Sequence, residues 1–138
     1  MVMTELVEGP LPQLAEAQGL TETGAEVIFH GRVRDREQGQ EIVALYYEAY
    51  ASLADDELRA IGEETASRYS LLDLTCHHRI GEVPIGAVSL RVVARARHRE
   101  AALEAVTWMV DQLKRRVPIW KWGVLSSGER FPSGLATK

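Results

Sequence analysis

The sequence predicts an α+β fold, with two long helices packed against a largely antiparallel sheet. Three observations predict it. Residues 25–34 and 88–97 alternate apolar and polar side chains at period two, as half-buried strands do. Residues 54–69 and 102–113 place apolar side chains three and four apart, as a helix with one buried face requires. Glycine and proline punctuate the chain between such segments and give the order β-β-α-β-β-α-β. The 138 residues suffice for one domain and are too few for two ordinary ones.

Each element follows from its residues. Pro10 and Pro12 break the N-terminal region, and a weak helix is expected at Leu14–Gln18. Gly24 opens the first strand, in which Val27, Phe29 and Val33 share a face. Asp35–Gln40 is polar, contains Gly39 and reads as a hairpin loop. Glu41–Tyr50 is apolar, aromatic and β-branched, a second strand. Ser52 or Asp55 is expected to cap a helix reaching about Tyr69, with Ala54, Leu58, Ile61, Thr65 and Tyr69 on its buried stripe. Leu71–Ile80 is a third strand, and Gly81, Pro84 and Gly86 mark the turn after it. Val88, Leu90, Val92, Ala94 and Ala96 should face the core, opposite a face carrying Arg91, Arg95 and Arg97. A helix over His98–Arg116 buries Ala102, Val106, Met109, Val110 and Leu113; Glu100 and Glu104 favour its start and Lys114, Arg115 and Arg116 its end. Pro118 stops it, Ile119–Leu125 forms the last strand, Ser126-Ser127-Gly128 turns, and the tail after Phe131 reads as loose.

Composition narrows the function. With 46% apolar residues a core can form without staples, and the one cysteine, Cys76, fits a reducing compartment. Cys76 lies in the apolar run Leu71–Cys76 and reads as a small core residue. The N-terminus lacks the basic-then-apolar pattern of a signal peptide, and no run approaches the roughly 18 apolar residues of a membrane helix, so a cytoplasmic location is expected. A net charge of −4 argues against broad nucleic-acid binding. Nevertheless Arg91, Arg95, Arg97, His98, Arg99, Lys114, Arg115, Arg116 and Lys121 crowd the last third, which suggests a small anionic ligand. No metal site and no cofactor motif is visible. His77 and His78 are adjacent on a strand, so they point to opposite faces. No phosphate-binding glycine loop or serine-nucleophile motif occurs.

The remaining chemistry is cationic. Lys114 sits in the last turn of the second helix and Lys121 beyond Pro118, so the return strand must bring Lys121 back if the two are to meet. Such cations are ordinarily solvated charges favoured by the helix dipole. The sharper reading is a pocket for an anionic or acyl substrate, in which Arg115, Arg116 and a second lysine lower a lysine pKa. His98-Arg99 opens the same helix, where unpaired N–H groups favour a phosphate; a plain polar helix start is the simpler reading. Sixteen residues at about 1.5 Å each separate His98 from Lys114 by roughly 24 Å. The two ends therefore serve different sites, or a symmetric dimer unites them. Arg34, ending the first strand, is a third candidate anion ligand.

Several segments together resemble one family. Gly31-Arg32-Val33-Arg34, Tyr46-Tyr47-Glu48-Ala49-Tyr50, His78-Arg79-Ile80-Gly81, His98-Arg99-Glu100-Ala101-Ala102, and Lys114 followed by Pro118-Ile119-Trp120-Lys121 resemble, in order and spacing, motifs of the molybdopterin synthase large subunit, MoaE. The resemblance runs from Gly24 to Phe131. It implies one domain over 1–138, with a variable segment 1–23, a family core 24–131 and a loose tail 132–138. It further implies an α/β hammerhead-type fold with an added antiparallel β-sheet, and a homodimer of large subunits. The implied partner is a small ubiquitin-like subunit of MoaD type, whose C-terminal Gly-Gly thiocarboxylate gives sulfur to cyclic pyranopterin monophosphate. By position Lys114 and Lys121 match the family's catalytic lysines, and Arg34, His98 and Arg99 its pterin and phosphate residues. Arg115, beside Lys114, completes the substrate-binding candidates. The chain departs from the family pattern at Ala87, at Trp122 and Gly123, where a basic residue and a glutamate are common, and at Phe131, where a tryptophan is. A non-catalytic domain binding a ubiquitin-like partner and a small-anion-sensing α+β module are the alternatives.

Overall fold

The structure is a computed structural model that describes residues 1–14 and 16–135. Its elements are β1 (Val2–Glu8), β2 (Ala25–Arg32), β3 (Arg36–Glu37), β4 (Gln40–Glu41), β5 (Ala44–Ala49), α1 (Ala51–Arg68), β6 (Asp73–Pro84), β7 (Val88–Ala96), α2 (Arg99–Arg116), β8 (Ile119–Val124) and β9 (Arg130–Leu135). The α+β class is as the sequence predicts. The main sheet runs β2-β7-β6-β5-β8-β9, antiparallel throughout, and β1 adds to β6 in parallel.

β6 is the hinge of the architecture. Residues 73–78 pair with β7 and residues 74–80 with β1, whereas Gly81–Pro84 pair with β5. Gly81 adopts φ 84° at the changeover, a conformation a side chain would oppose. The expected turn at Gly81 is therefore a continuation of the strand, and the chain turns only after Pro84. One strand thus carries both halves of the sheet.

The helices pack on one face of β1, β6, β7 and β2. Ala54, Leu58, Ile61 and Thr65 of α1 and Ala102, Val106, Met109 and Leu113 of α2 are buried, as their spacing predicts. Gly62 allows α1 to approach β1: a Cβ there would lie 2.9 Å from Thr4 Cγ2 and 3.0 Å from Val2 Cγ1. Arg116 clamps the two helices, its Nε 2.7 Å from Glu57 Oε1 and its Nη1 2.6 Å from Glu64 Oε2. Cys76 is fully buried, and burial pushes its thiol up to about 12, so it is a core residue.

Four further expectations need correction. The first helix is capped by Tyr50, whose carbonyl accepts from Ala54 N–H; Ser52 and Asp55 lie inside the helix, because β5 delivers the chain directly into it. Leu14, Glu16, Ala17 and Gln18 are not helical, while Ala15 lies outside the described residues. This stretch instead lies along the outer face of β2 and β7, bordering a cavity with Ile28 and Val93. The N-terminal segment contains β1, whose strand partner, β6, is distant in sequence. The tail is β9 as far as Leu135, and residues 136–138 lie outside the described residues.

The basic face of β7 is occupied. Arg91 donates to His30 Nε2 at 2.8 Å and to the Pro12 carbonyl at 2.5 Å, and Arg95 meets Glu26 at 2.6 Å. These arginines fasten the N-terminal segment and β2 to the sheet. Among the described residues, no helix is long and apolar enough to cross a membrane.

Candidate active site

A cavity of about 180 Å³ opens where β2, the β3–β4 hairpin, β5, β8 and the last turn of α2 converge. Phe29, Gly31, Leu45, Leu90 and Leu113 form its apolar lining. Arg32, Arg34, Arg36, Lys114 and Lys121 supply positive charge, Glu37 a carboxylate, and Tyr47, His78 and Ser89 neutral polar groups.

Both lysines reach this cleft. α2 delivers Lys114, and the chain reverses at Val117-Pro118 into β8. There Lys121 pairs directly with Tyr47 of β5, so both side chains project from the same face. Among the described residues Lys114 and Arg34 make no ion pair or side-chain hydrogen bond. Lys121 does: its Nζ lies 2.7 Å from Glu37 Oε2. Ser133 Oγ, from β9, donates to the same oxygen at 2.7 Å.

Electrostatics follow from this packing. Burial, the largest influence on Glu37, pushes its carboxyl up; the bonds from Lys121 and Ser133, with the charges of Lys121 and Arg34, outweigh it and hold Glu37 below the usual carboxylate range. Burial raises the Tyr47 phenol, helped by Glu37 and opposed by its bond with Ser89, so Tyr47 stays neutral at pH 7. Burial pushes His78 down to about 4, and nearby Lys114 adds to this, against the bond to its own strand. A neutral His78 donates Nδ1–H to the Arg79 carbonyl at 2.7 Å, which leaves Nε2 as an acceptor. Its ring packs edge-on against Tyr47 at 5.1 Å. The cleft is thus a set of cations, Lys121 held by Glu37, over apolar walls with neutral hydrogen-bonding groups, suited to anions and to stabilising negative charge that develops in a reaction.

Lys114, Lys121 and Arg34, separated by up to 87 positions in sequence, share the cleft. His98 and Arg99 do not line it; they start α2, with no side-chain cap from His98, at the end of the helix opposite Lys114. Arg115 is exposed and outside the lining, and Arg116 is committed to α1. Sequence reasoning missed Glu37, Tyr47 and Ser89 as site residues. Tyr47 lay within a recognised motif, as did His78. Glu37 lay in a polar hairpin, and nothing local distinguishes it from its neighbours.

The hairpin geometry explains why Glu37 points inward. Gln38 and Gly39 form the turn with φ 49° and 78°, the two positive values of a two-residue hairpin turn. The departures at Gly123 and Phe131 are also one feature. The two residues are cross-strand partners, and a Cβ at Gly123 would collide with the Phe131 ring, which lies over the bare glycine.

Comparison with known proteins gives a consistent result. The profile of the family described as "MoaE protein" matches residues 9–116. A "Molybdopterin synthase catalytic subunit" from Pyrococcus abyssi is 43% identical over 112 residues, 81% of this chain and 76% of that one. The crystal structure of molybdopterin synthase from Staphylococcus aureus superposes with a TM-score of 0.82 at 27% identity, covering 94% of this chain and 96% of that one. A complex of subunits 1 and 2 of molybdopterin-converting factor from Helicobacter pylori gives 0.69 at 25% identity, over 81% and 73%.

Proposed function

The chain belongs to the MoaE protein family, and we infer that it is the catalytic subunit of a molybdopterin synthase. It is a sulfurtransferase that works with a small ubiquitin-like subunit. The sulfur of that partner's C-terminal thiocarboxylate passes to cyclic pyranopterin monophosphate. The observation that carries this reading is the meeting of Lys114, Lys121 and Arg34 in one cleft over apolar walls.

The residue roles follow from charge. Lys121 and Lys114 stabilise the thiocarboxylate and the charge that develops as sulfur is transferred. Lys114, which no carboxylate among the described residues occupies, is the better placed to exchange a proton or accept an acyl group. Arg34 takes the substrate's anionic group. His98 and Arg99 act at the site of a second copy of the chain in a homodimer, because roughly 24 Å of helix separates them from Lys114 within one copy. Arg115 guides anions from the rim. The single-domain reading of 1–138 and a cytoplasmic location complete the proposal, the latter supported by the unpaired, buried Cys76.

The test is reconstitution with a thiocarboxylated small subunit and cyclic pyranopterin monophosphate, with dithiolene formation as the readout. Lys114→Ala and Lys121→Ala should each lower kcat by about 10²–10³-fold, the cost of removing one preorganised donor, with the protein still folded. Wild-type turnover in both variants would remove the lysines from the mechanism.

A further inference from the structure

We propose that Glu37 is a positioning residue for the reaction, acting through Lys121. The proposal rests on the synthase reading above. It arises from a contrast inside the cleft: of the two lysines there, one is engaged and one is not. Lys121 is paired at 2.7 Å with a carboxylate, whereas Lys114 has no ion-pair partner among the described residues.

The pair is built into the fold from three directions. Glu37 comes from the β3–β4 hairpin, Lys121 from β8 and Ser133 from β9. The Glu37 side chain is only 12% exposed and that of Lys121 24%. Gln38 Nε2 also donates to the Ser133 carbonyl at 3.4 Å, tying the hairpin to β9. A lysine on a flexible four-carbon stem has large rotamer freedom, and a shielded carboxylate with its own second donor removes most of it. One ammonium N–H is committed to Glu37, and two remain for the cleft. Held this way, the ammonium acts as a fixed charge and hydrogen-bond donor toward a substrate anion rather than as a mobile amine. Removing Glu37 would leave the positive charge in place and lose its position.

The assembled synthase carrying Glu37→Ala, Glu37→Asp or Ser133→Ala provides the test, with kcat and KM for the small subunit measured separately. Glu37→Ala should lower kcat about 10-fold with KM changed less than threefold, Ser133→Ala should lower kcat two- to threefold, and Glu37→Asp should recover part of the loss. In a Lys121→Ala background, Glu37→Ala should have no further effect on the single-turnover rate. Glu41→Gln, which breaks only an exposed contact to Arg36 on the same hairpin, should leave kcat unaltered. A second readout needs no turnover: Glu37→Ala should speed acetylation of Lys121 by acetic anhydride, which transfers one acetyl group to the free amine and releases acetate and a proton, followed by peptide mass spectrometry, because the carboxylate no longer holds the group as its paired ammonium. Wild-type kcat and unchanged Lys121 labelling in Glu37→Ala, or an undiminished effect of Glu37→Ala in the Lys121→Ala background, would overturn the proposal. An inactive wild-type assembly would instead overturn the synthase reading, and the labelling result would still decide the role of Glu37.

Discussion

At the scale of single residues, the cleft shows how burial sets charge. His78 is enclosed between Tyr47 and the end of α2, and burial pushes it down to about 4 from an ordinary 6.5. Its folded pKa lies below its unfolded one, so the unfolded chain takes up the proton first as pH falls. The stability associated with neutral His78 is therefore complete above pH 6.5 and is lost progressively toward pH 4. At about 1.4 kcal/mol per unit, the loss is on the order of 3 kcal/mol. His30 and His77 are shifted in the same direction, also chiefly by burial, and add to the trend. Urea midpoints at pH 7.5 and 4.5 should differ strongly in the wild type and less in His78→Gln; equal differences would show that His78 does not carry the effect. Cys76, by the same physics, should resist thiol reagents until the protein unfolds, which titration in native buffer and in denaturant would compare.

At the scale of elements, two glycines set distances that side chains would spoil. Gly123 on β8 admits the Phe131 ring of β9. Gly123→Ala should destabilise by about 1–3 kcal/mol through overpacking. Phe131→Ala should make that substitution nearly harmless, a coupling that denaturant titration of the double variant would read. Since β9 also carries Ser133, displacement of this strand should lower turnover as well as stability. Gly62 plays the corresponding part between α1 and β1. The periodic elements were legible in the sequence because their signals are local: the buried stripes of α1 and α2 and the alternation along β7 need no partner to be read. β1 and β9 were not, since each becomes a strand by pairing with one placed elsewhere by the fold. The extension of β6 past Gly81 was hidden for the same reason, a glycine reading locally as a stop.

At the scale of the whole molecule, one end of α2 enters the cleft and the other lies a helix length away. If the second copy of a homodimer supplies His98 and Arg99, two inactive chains should complement each other. A Lys114→Ala/Lys121→Ala chain mixed with a His98→Ala/Arg99→Ala chain should form heterodimers with one intact site in two, and activity should exceed that of either chain alone. Reconstitution from separately purified chains, with the dimer monitored by light scattering, would measure this. No gain from fully exchanged heterodimers would confine the site to one chain.

By itself the sequence determined the α+β class, the two helices with their buried faces, the core position of Cys76, and the lysines and Arg34 as the groups to watch. These are matters of periodicity, residue type and motif spacing, all carried by neighbours in the chain. Only the tertiary structure decided that Lys121 stands opposite Tyr47, that Glu37 and Ser133 hold it, that Arg116 serves the helix pair, and that Gly123 belongs with Phe131. The physical reason is register. Which side chains meet across strands depends on how a hairpin, a bent central strand and a returning strand align, and that alignment is fixed by packing of the whole chain rather than by any segment of it.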